Sequence, residues 1–153
     1  MTESDIRELK RKAIEIRRLT VEQIAHIGIG HLGGSLSVVE ILTYLYHRVL
    51  QVDPTDPKDA RRDKFVMSKG HAGPALYSVL ADKGFFPREW LETLNRGGTN
   101  LPSHCDMNRT PGIDMTTGSL GQGLSAAVGI AIGHRIRELP GRVFALLSDG
   151  DIN

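Results

Sequence analysis

The stretch TTGSLGQG, residues 116–123, predicts a glycine-rich turn that opens a helix. Small and apolar residues continue this helix from Leu124 to about Arg137, and a strand is predicted for residues 143–147. Such a turn lets a phosphate approach the backbone N–H groups at the positive end of the helix dipole. A tight turn that only feeds a packed helix would have the same pattern.

Two carboxylates, Asp149 and Asp151, follow the predicted strand directly. Hard cations such as Mg²⁺ or Ca²⁺ bind carboxylate oxygens together with phosphate oxygens and water. Taken alone, the pair would better suit a polar turn or a helix cap. The turn, helix, strand and carboxylates together favour half of a site for a diphosphate and a metal ion.

Length and composition argue against several classes of protein. The chain has 153 residues with 19 basic and 18 acidic side chains, and its net charge of +1 gives no electrostatic basis for binding nucleic acid. No apolar run approaches the roughly 20 residues that span a membrane, and the charged N-terminus predicts no secretory signal. The single cysteine, Cys105, excludes an internal disulfide and fits a reducing compartment. We therefore expect a cytoplasmic protein that binds neither nucleic acid nor membranes.

Two helices are predicted in the first part of the chain. Residues 2–27 have the apolar spacing of an amphipathic helix, and Thr2 with Asp5 forms a capping box at its start. The glycine-rich residues 28–34 are predicted to form a loop. A second helix is expected to begin at the N-cap Ser37.

The fold predicted from these patterns is α/β, with helices around a short parallel sheet. Residues 64–68 form the other predicted strand, which is continuously apolar at its centre and therefore buried on both faces. Ligands of parallel sheets bind at the carboxyl ends of the strands, where residues 69–73 and 148–153 lie. Two strands are too few for a stable sheet with both faces covered, so the chain is expected to be part of a domain.

Three histidines, His31, His71 and His104, lie in predicted loops beside glycine, proline or serine. Histidine exchanges protons near neutral pH, which makes these side chains candidates for catalysis. A histidine bonded to nearby backbone is the alternative for each of them, and no spacing among them suggests a zinc site. Cys105 lacks the context of a nucleophile and is interpreted as a packed thiol.

Five motifs resemble those of transketolases, in the same order and spacing. They are GHLGGSL at 30–36, SKGHA at 68–72, PSH at 102–104, TTGSLGQG at 116–123 and SDGD at 148–151. Among transketolases, the chain most resembles the split type, in which the two halves of the enzyme are separate chains. The resemblance implies a partial thiamine-diphosphate-binding fold, in which residues 1–153 are an incomplete N-terminal, diphosphate-binding domain.

The resemblance also implies an activity and a set of site residues. Transketolases, which belong to the pentose phosphate pathway, use thiamine diphosphate and a divalent metal, usually Mg²⁺. They move a two-carbon ketol unit from a ketose phosphate to an aldose phosphate. Catalytic roles are implied for His31 and His104, and a metal bond is implied for Asp149. Cofactor contacts are implied for His71, Gly118, Ser119, Leu120 and Gly150.

The chain departs from the transketolase pattern at four positions. Leu32 and Cys105 stand where the family has proline, and Ser103 and Ser148 stand where it has glycine. These substitutions bear on the loops around His31 and His104 and on how closely backbone approaches the diphosphate. The resemblance further implies a later asparagine for the metal and a separate pyrimidine-binding domain with an activating glutamate. Activity is therefore expected only with further chain segments.

Several partners and alternatives remain open from the sequence. The expected partners are sugar-phosphate substrates, together with further copies of the chain or a complementary C-terminal transketolase chain. Exposed apolar surface is predicted where strands are missing. The alternatives are a non-catalytic truncated remnant that binds a partner chain and a fragment of a related deoxyxylulose-phosphate synthase. The synthase is the weaker alternative, because residues 68–74, SKGHAGP, resemble the corresponding transketolase motif.

Overall fold

A long capped helix, α1 (Glu3–Ile27), begins the fold in the computed structural model, which describes residues 1–153. The hydroxyl of Thr2 accepts from the Asp5 N–H, and the Asp5 carboxylate accepts from the Thr2 N–H, which confirms the predicted capping box. The helix ends at Gly28, whose left-handed conformation suits a residue without a β-carbon. None of the helices has the length and apolar character needed to cross a lipid bilayer.

The segment after α1 differs from the prediction. A short helix, α2 (Leu32–Leu36), lies within the stretch predicted as loop, and α3 (Val39–Tyr44) begins after Val38 and continues into a π-helical turn (Leu45–Val49). The prediction of Ser37 as an N-cap is wrong. Its hydroxyl donates to the carbonyl of Gly34 at 3.0 Å and so satisfies the end of α2.

Two parallel strands, β1 (Lys64–Met67) and β2 (Val143–Leu146), form the sheet, which confirms the α/β prediction. A 3-10 turn (Gly70–Ala72) leads from β1 into α4 (Gly73–Lys83), which is buried along most of its length. After a second 3-10 helix (Arg88–Thr93) and a long loop, α5 (Gln122–Ile136) packs on both strands. A short helix, α6 (Asp149–Ile152), follows β2.

Two carboxylates fix the amino ends of the strands. Asp63 accepts hydrogen bonds from the backbone and guanidinium of Arg142 and from the Gln51 N–H, which joins the starts of β1 and β2. Asp114 accepts a bidentate pair of bonds from Arg62 and a third from the Phe65 N–H. These bonds lie at the opposite end of the sheet from the predicted site.

One face of α5 has no partner within the chain. The four-residue spacing of Ser125, Gly129 and Gly133 predicts close packing along that face, but a β-carbon on either glycine would meet nothing within 4 Å. Val128 and Ile132 on the same helix are 51% and 54% exposed. Close packing along this face is therefore absent within the chain, whereas the predicted exposed apolar surface is present.

Candidate functional site

Three histidines from separate segments converge next to the carboxyl end of β1. The ring centroids of His31 and His71 are 5.1 Å apart, and those of His31 and His104 are 5.7 Å apart. His31 immediately precedes α2, His71 lies in the 3-10 turn after β1, and His104 belongs to the loop before α5. The three histidines therefore form one cluster, which sequence spacing alone does not reveal.

The surroundings of His71 and His104 favour the neutral imidazole. Burial lowers the pKa of His71 and of His104 below the ordinary histidine value, and the nearby ring of His31 lowers both further. The ammonium of Lys69 acts in the same direction on the pKa of His71. A neutral imidazole offers one nitrogen that accepts a proton and one that donates, which is the form that general acid–base catalysis needs.

Lys69 joins the segment that carries His31 to the segment that carries His71. Its Nζ donates to the carbonyl oxygen of Gly34 and to the hydroxyl of Ser37, both at 2.8 Å, and the residue is 6% exposed. Gly34 also allows a close approach, because a β-carbon there would lie 2.9 Å from Cδ2 of His71. Lysine and glycine together therefore set how closely the two histidine segments approach.

The glycine-rich turn before α5 packs directly on the end of β1. The hydroxyl of Thr117 donates to the carbonyl of Met67 at 2.6 Å. A β-carbon on Gly70 would lie 2.7 Å from the carbonyl carbon of Thr117, and one on Gly123 would lie 2.6 Å from Cα of Ser68. Glycine is required at both positions because no side chain fits in these gaps.

The start of α5 presents exposed backbone beside the histidine cluster. Gly118, Ser119 and Leu120 are exposed, and Gly121 caps the helix with a left-handed φ of 85°. A β-carbon on Gly118 would have only the ring of His104 nearby, at 3.9 Å. Accessible backbone in the turn beside the positive end of a helix dipole favours an anion, and here that backbone belongs to residues 118–120, because the N–H of Gly121 is bonded to Asp151.

The two carboxylates after β2 have different surroundings. Asp151 is buried and accepts hydrogen bonds from Ser68 Oγ at 2.6 Å, from Gly121 N at 2.8 Å, and from Ser148 N and Oγ at 2.7 and 2.8 Å. Burial would raise the pKa of Asp151, but the bonds from Gly121, Ser68 and Ser148 outweigh it and lower the pKa to about 2. Asp149 is exposed, and its carboxylate makes no hydrogen bond or ion pair.

The helix-cap interpretation therefore holds for Asp151, which forms a capping box with Ser148 at the start of α6. The spacing of a serine and an acidic residue three positions later is the sequence signature of such a box. The connection to Ser68 and Gly121 has no such local signature. Lys69 is likewise a site residue whose contacts the sequence pattern does not reveal.

The residues after β2 also contact the glycine-rich turn directly. A β-carbon on Gly150 would lie 2.9 Å from Cδ1 of Leu120. All the residues that the resemblance assigns to the cofactor and metal therefore lie on segments that meet at the carboxyl end of the sheet. The structure brings these segments together as the parallel-sheet argument predicts.

The donor groups fit a diphosphate and a hard cation. The amino end of α5 suits the diphosphate, and the free carboxylate of Asp149 suits the cation. No group of three or more histidine, cysteine, aspartate or glutamate side chains is placed to hold a metal. A cation at Asp149 would therefore take further ligands from diphosphate oxygens, water or another segment, as Mg²⁺ commonly does.

Residues 9–140 match the family model for the thiamine diphosphate binding domain of transketolase. The 6-deoxy-6-sulfo-D-fructose transketolase subunit SqwG of a Clostridium species is 56% identical over 99% of this chain and 54% of its own length. One of the subunits of the apulose-4-phosphate transketolase of Actinobacillus succinogenes is 42% identical over 95% of this chain and 53% of its own length. The chain thus spans about half the length of these curated relatives.

Solved structures agree with the sequence comparison. A transketolase from Leishmania mexicana has a TM-score of 0.87 at 29% identity, over 94% of this chain and 23% of its own. A transketolase of Pichia stipitis in complex with sedoheptulose 7-phosphate has a TM-score of 0.87 at 32% identity, with the same coverage of both chains. These matches in sequence and structure extend over most of the chain, which therefore belongs to the transketolase family, in its N-terminal, thiamine-diphosphate-binding domain.

Proposed function

We propose that this chain supplies part of the diphosphate-binding domain of a transketolase, an enzyme that moves a two-carbon ketol unit from a ketose phosphate to an aldose phosphate. The proposal rests on the side chains and backbone groups that meet at the carboxyl end of the sheet. The histidine cluster lies beside the exposed turn that opens α5, and the turn that carries the free carboxylate of Asp149 contacts the same segment, at Leu120. This arrangement combines groups for an anion, a cation and proton exchange.

The amino end of α5 and the turn after β2 are the proposed places for cofactor and metal. Backbone at Gly118, Ser119 and Leu120 would hold the diphosphate together with backbone at Gly150. Asp149 would bind Mg²⁺ together with diphosphate oxygens. When bound, thiamine diphosphate supplies the electron sink that stabilises the carbanion of the transferred ketol unit.

The histidine cluster is the proposed place for substrate and proton exchange. His71 follows β1 most closely and would lie beside the diphosphate. His31 and His104 would contact the sugar and act as catalytic residues, holding or moving a proton at a ring nitrogen. The lowered pKa of His104 supports this role, because a neutral ring can accept a proton at neutral pH.

The proposed partner is a complementary C-terminal transketolase chain, with assembly into oligomers. Two observations support it. Two of the curated relatives are named as transketolase subunits. The apolar residues of α5 also lack a covering element within the chain. We place the assembled enzyme in the cytoplasm and in pentose phosphate metabolism.

Calorimetry of the chain with thiamine diphosphate and Mg²⁺, alone and after addition of a C-terminal transketolase half, tests this function. Ketol transfer is measured in the same mixtures from a phosphorylated ketose and from a 6-sulfonated ketose, the class named for one relative. We expect cofactor binding and transfer in the mixture. Absence of both in every mixture would support the non-catalytic remnant, and formation of deoxyxylulose phosphate would support the related synthase.

A pair of aspartate variants tests the metal site. Asp149→Asn removes the exposed carboxylate beside the glycine-rich turn, whereas Asp56→Asn removes an exposed carboxylate from the loop before β1. We expect the first variant to need at least tenfold more Mg²⁺ for half-maximal cofactor binding and the second to match the parent protein. Equal Mg²⁺ dependence in all three proteins would contradict the assignment.

A further inference from the structure

A single buried carboxylate connects the three segments that form the carboxyl end of the sheet. Asp151 accepts from Ser68 at the end of β1, from Gly121 at the start of α5, and from Ser148 after β2. Each of these donors is close in sequence to a proposed ligand-binding group. Ser68 precedes Lys69 and His71, Gly121 follows the exposed glycine-rich turn, and Ser148 precedes Asp149.

The hydrogen bonds leave Asp151 no capacity for a metal ion. A carboxylate has about four lone-pair positions on its two oxygens. Oδ1 of Asp151 accepts from Ser68 Oγ and Gly121 N, and Oδ2 accepts from Ser148 N and Oγ. The acceptor positions are therefore filled by the chain itself, whereas Asp149 two residues earlier is exposed and unbonded.

We propose that Asp151 is a positioning residue that holds the Gly121 turn and the Ser148–Asp149 turn against β1 and touches neither cofactor nor metal. The inference rests on the proposed function, because the positioned segments are those assigned to the diphosphate and the cation. It divides the acidic pair into one carboxylate that binds and one that sets the distance between the binding segments. The resemblance to transketolases assigns no role to Asp151.

The opposite end of the sheet provides a matched control. Asp63 is buried and likewise accepts four hydrogen bonds, from Gln51 N and from three nitrogens of Arg142. It links the amino ends of the same two strands that Asp151 links at their carboxyl ends. An Asp63→Asn substitution therefore removes a comparable buried carboxylate without a contact to the candidate site.

The first measurement is amide hydrogen exchange by NMR in Asp151→Asn and Asp63→Asn, compared at equal distance below their melting temperatures. We expect exchange of the Gly121 amide to accelerate at least tenfold in Asp151→Asn and to stay unchanged in Asp63→Asn. Unchanged Gly121 exchange in Asp151→Asn would overturn the inference, and this holds whether or not the protein binds cofactor. If Asp151→Asn does not fold, Ser68→Ala removes one of the four bonds, and a smaller change of the same kind is expected.

The second measurement is calorimetric titration of the full chain, alone and with the complementary half, with thiamine diphosphate and Mg²⁺. We expect at least tenfold weaker binding in Asp151→Asn and parent affinity in Asp63→Asn, even where both variants lose equal thermal stability. An equal loss of cofactor affinity in the two variants would mean that Asp151 only stabilises the fold, and it would overturn the proposal. Failure of the parent protein to bind in any mixture would contradict the proposed function, and the exchange measurement would still decide the positioning.

Discussion

The first turn of α5 rests directly on the end of β1, since a β-carbon on Gly123 would lie 2.6 Å from Cα of Ser68. We expect Gly123→Ala to lower the free energy of unfolding by about 1–3 kcal/mol, because the added methyl group has no space. Gly129→Ala in the same helix is the control. It enters open space and should raise stability by about 1 kcal/mol through helix propensity. Urea denaturation measures both, and equal effects would contradict the close contact.

The stability of the protein should fall as pH decreases below the ordinary histidine pKa. Because the pKa of His71 and of His104 is lower in the folded protein, the unfolded chain binds more protons in this range. Stability should therefore decline as pH falls below about 6.5 and level off above it. Denaturation between about pH 5.5 and 7.5 measures the slope. Replacing both histidines by asparagine should flatten it, and an unaltered slope would contradict the shifts.

The buried carboxylate of Asp82 joins three basic side chains away from the site. Lys12 lies 2.7 Å and Arg88 2.5 Å from it, and His47 Nε2 lies 3.3 Å away. Burial opposes ionisation, but His47 and Lys12 hold the pKa of Asp82 well below its usual value. Its contribution to stability is thus present above about pH 4 and lost as pH falls further.

We expect Asp82→Asn to cost about 1.5–3 kcal/mol at neutral pH, the range for hydrogen bonds to charged groups. Glu22→Gln is the matched control, because it breaks an exposed ion pair with Arg18 and should cost no more than about 0.5 kcal/mol. Chemical denaturation of both variants tests the difference. A similar small loss in both would show that the buried network contributes little.

Amide hydrogen exchange can test whether Lys69 stabilises the segment that follows His31. Lys69→Met removes both bonds of the lysine, to the carbonyl of Gly34 and to the hydroxyl of Ser37. Ser37→Ala keeps the bond from Lys69 to Gly34 and removes the other, together with the serine's own bond to the Gly34 carbonyl. We expect faster amide exchange across α2 in both variants, with the larger change in Lys69→Met. Protection equal to that of the parent protein in Lys69→Met would contradict a linking role for the lysine.

The exposed apolar residues of α5 predict self-association of the isolated chain. Val128 and Ile132 are about half exposed on a face that nothing in the chain covers. Sedimentation velocity should show oligomers for the parent protein and a shift toward monomer for Ile132→Lys. Ile14→Lys, on the exposed side of α1, should leave the distribution unchanged. A monomeric parent protein would contradict the prediction.

Local chemistry explains the parts of the fold that the sequence predicts well. The Thr2 and Asp5 capping box depends on residues three positions apart, and the strands at 64–67 and 143–146 depend on continuous apolar runs. The parallel-sheet rule then places the loops after both strands at one end, which is where the candidate site lies. These steps need no knowledge of long-range contacts.

Long-range contacts explain what sequence reasoning missed. Whether Asp149 or Asp151 turns inward depends on Ser68 and Gly121, which are distant in sequence. The short helix α2 likewise forms where glycines predict a loop, and there the amine of Lys69 binds the carbonyl of Gly34. Such partners can be identified only once the strands have brought the segments together.

The separation between the two ends of the sheet has a consequence for protein engineering. The bonds of Asp63 and Arg142 anchor the amino ends of the strands, whereas the candidate site lies at the carboxyl ends. We therefore expect substitutions around the amino ends to change thermal stability without altering the geometry of the candidate site. Conversely, substitutions in the loops of His31 and His104 should leave the bonds at the amino ends intact, so that the sheet stays anchored. The bonds that anchor the sheet and the candidate site thus lie at opposite ends of two short strands.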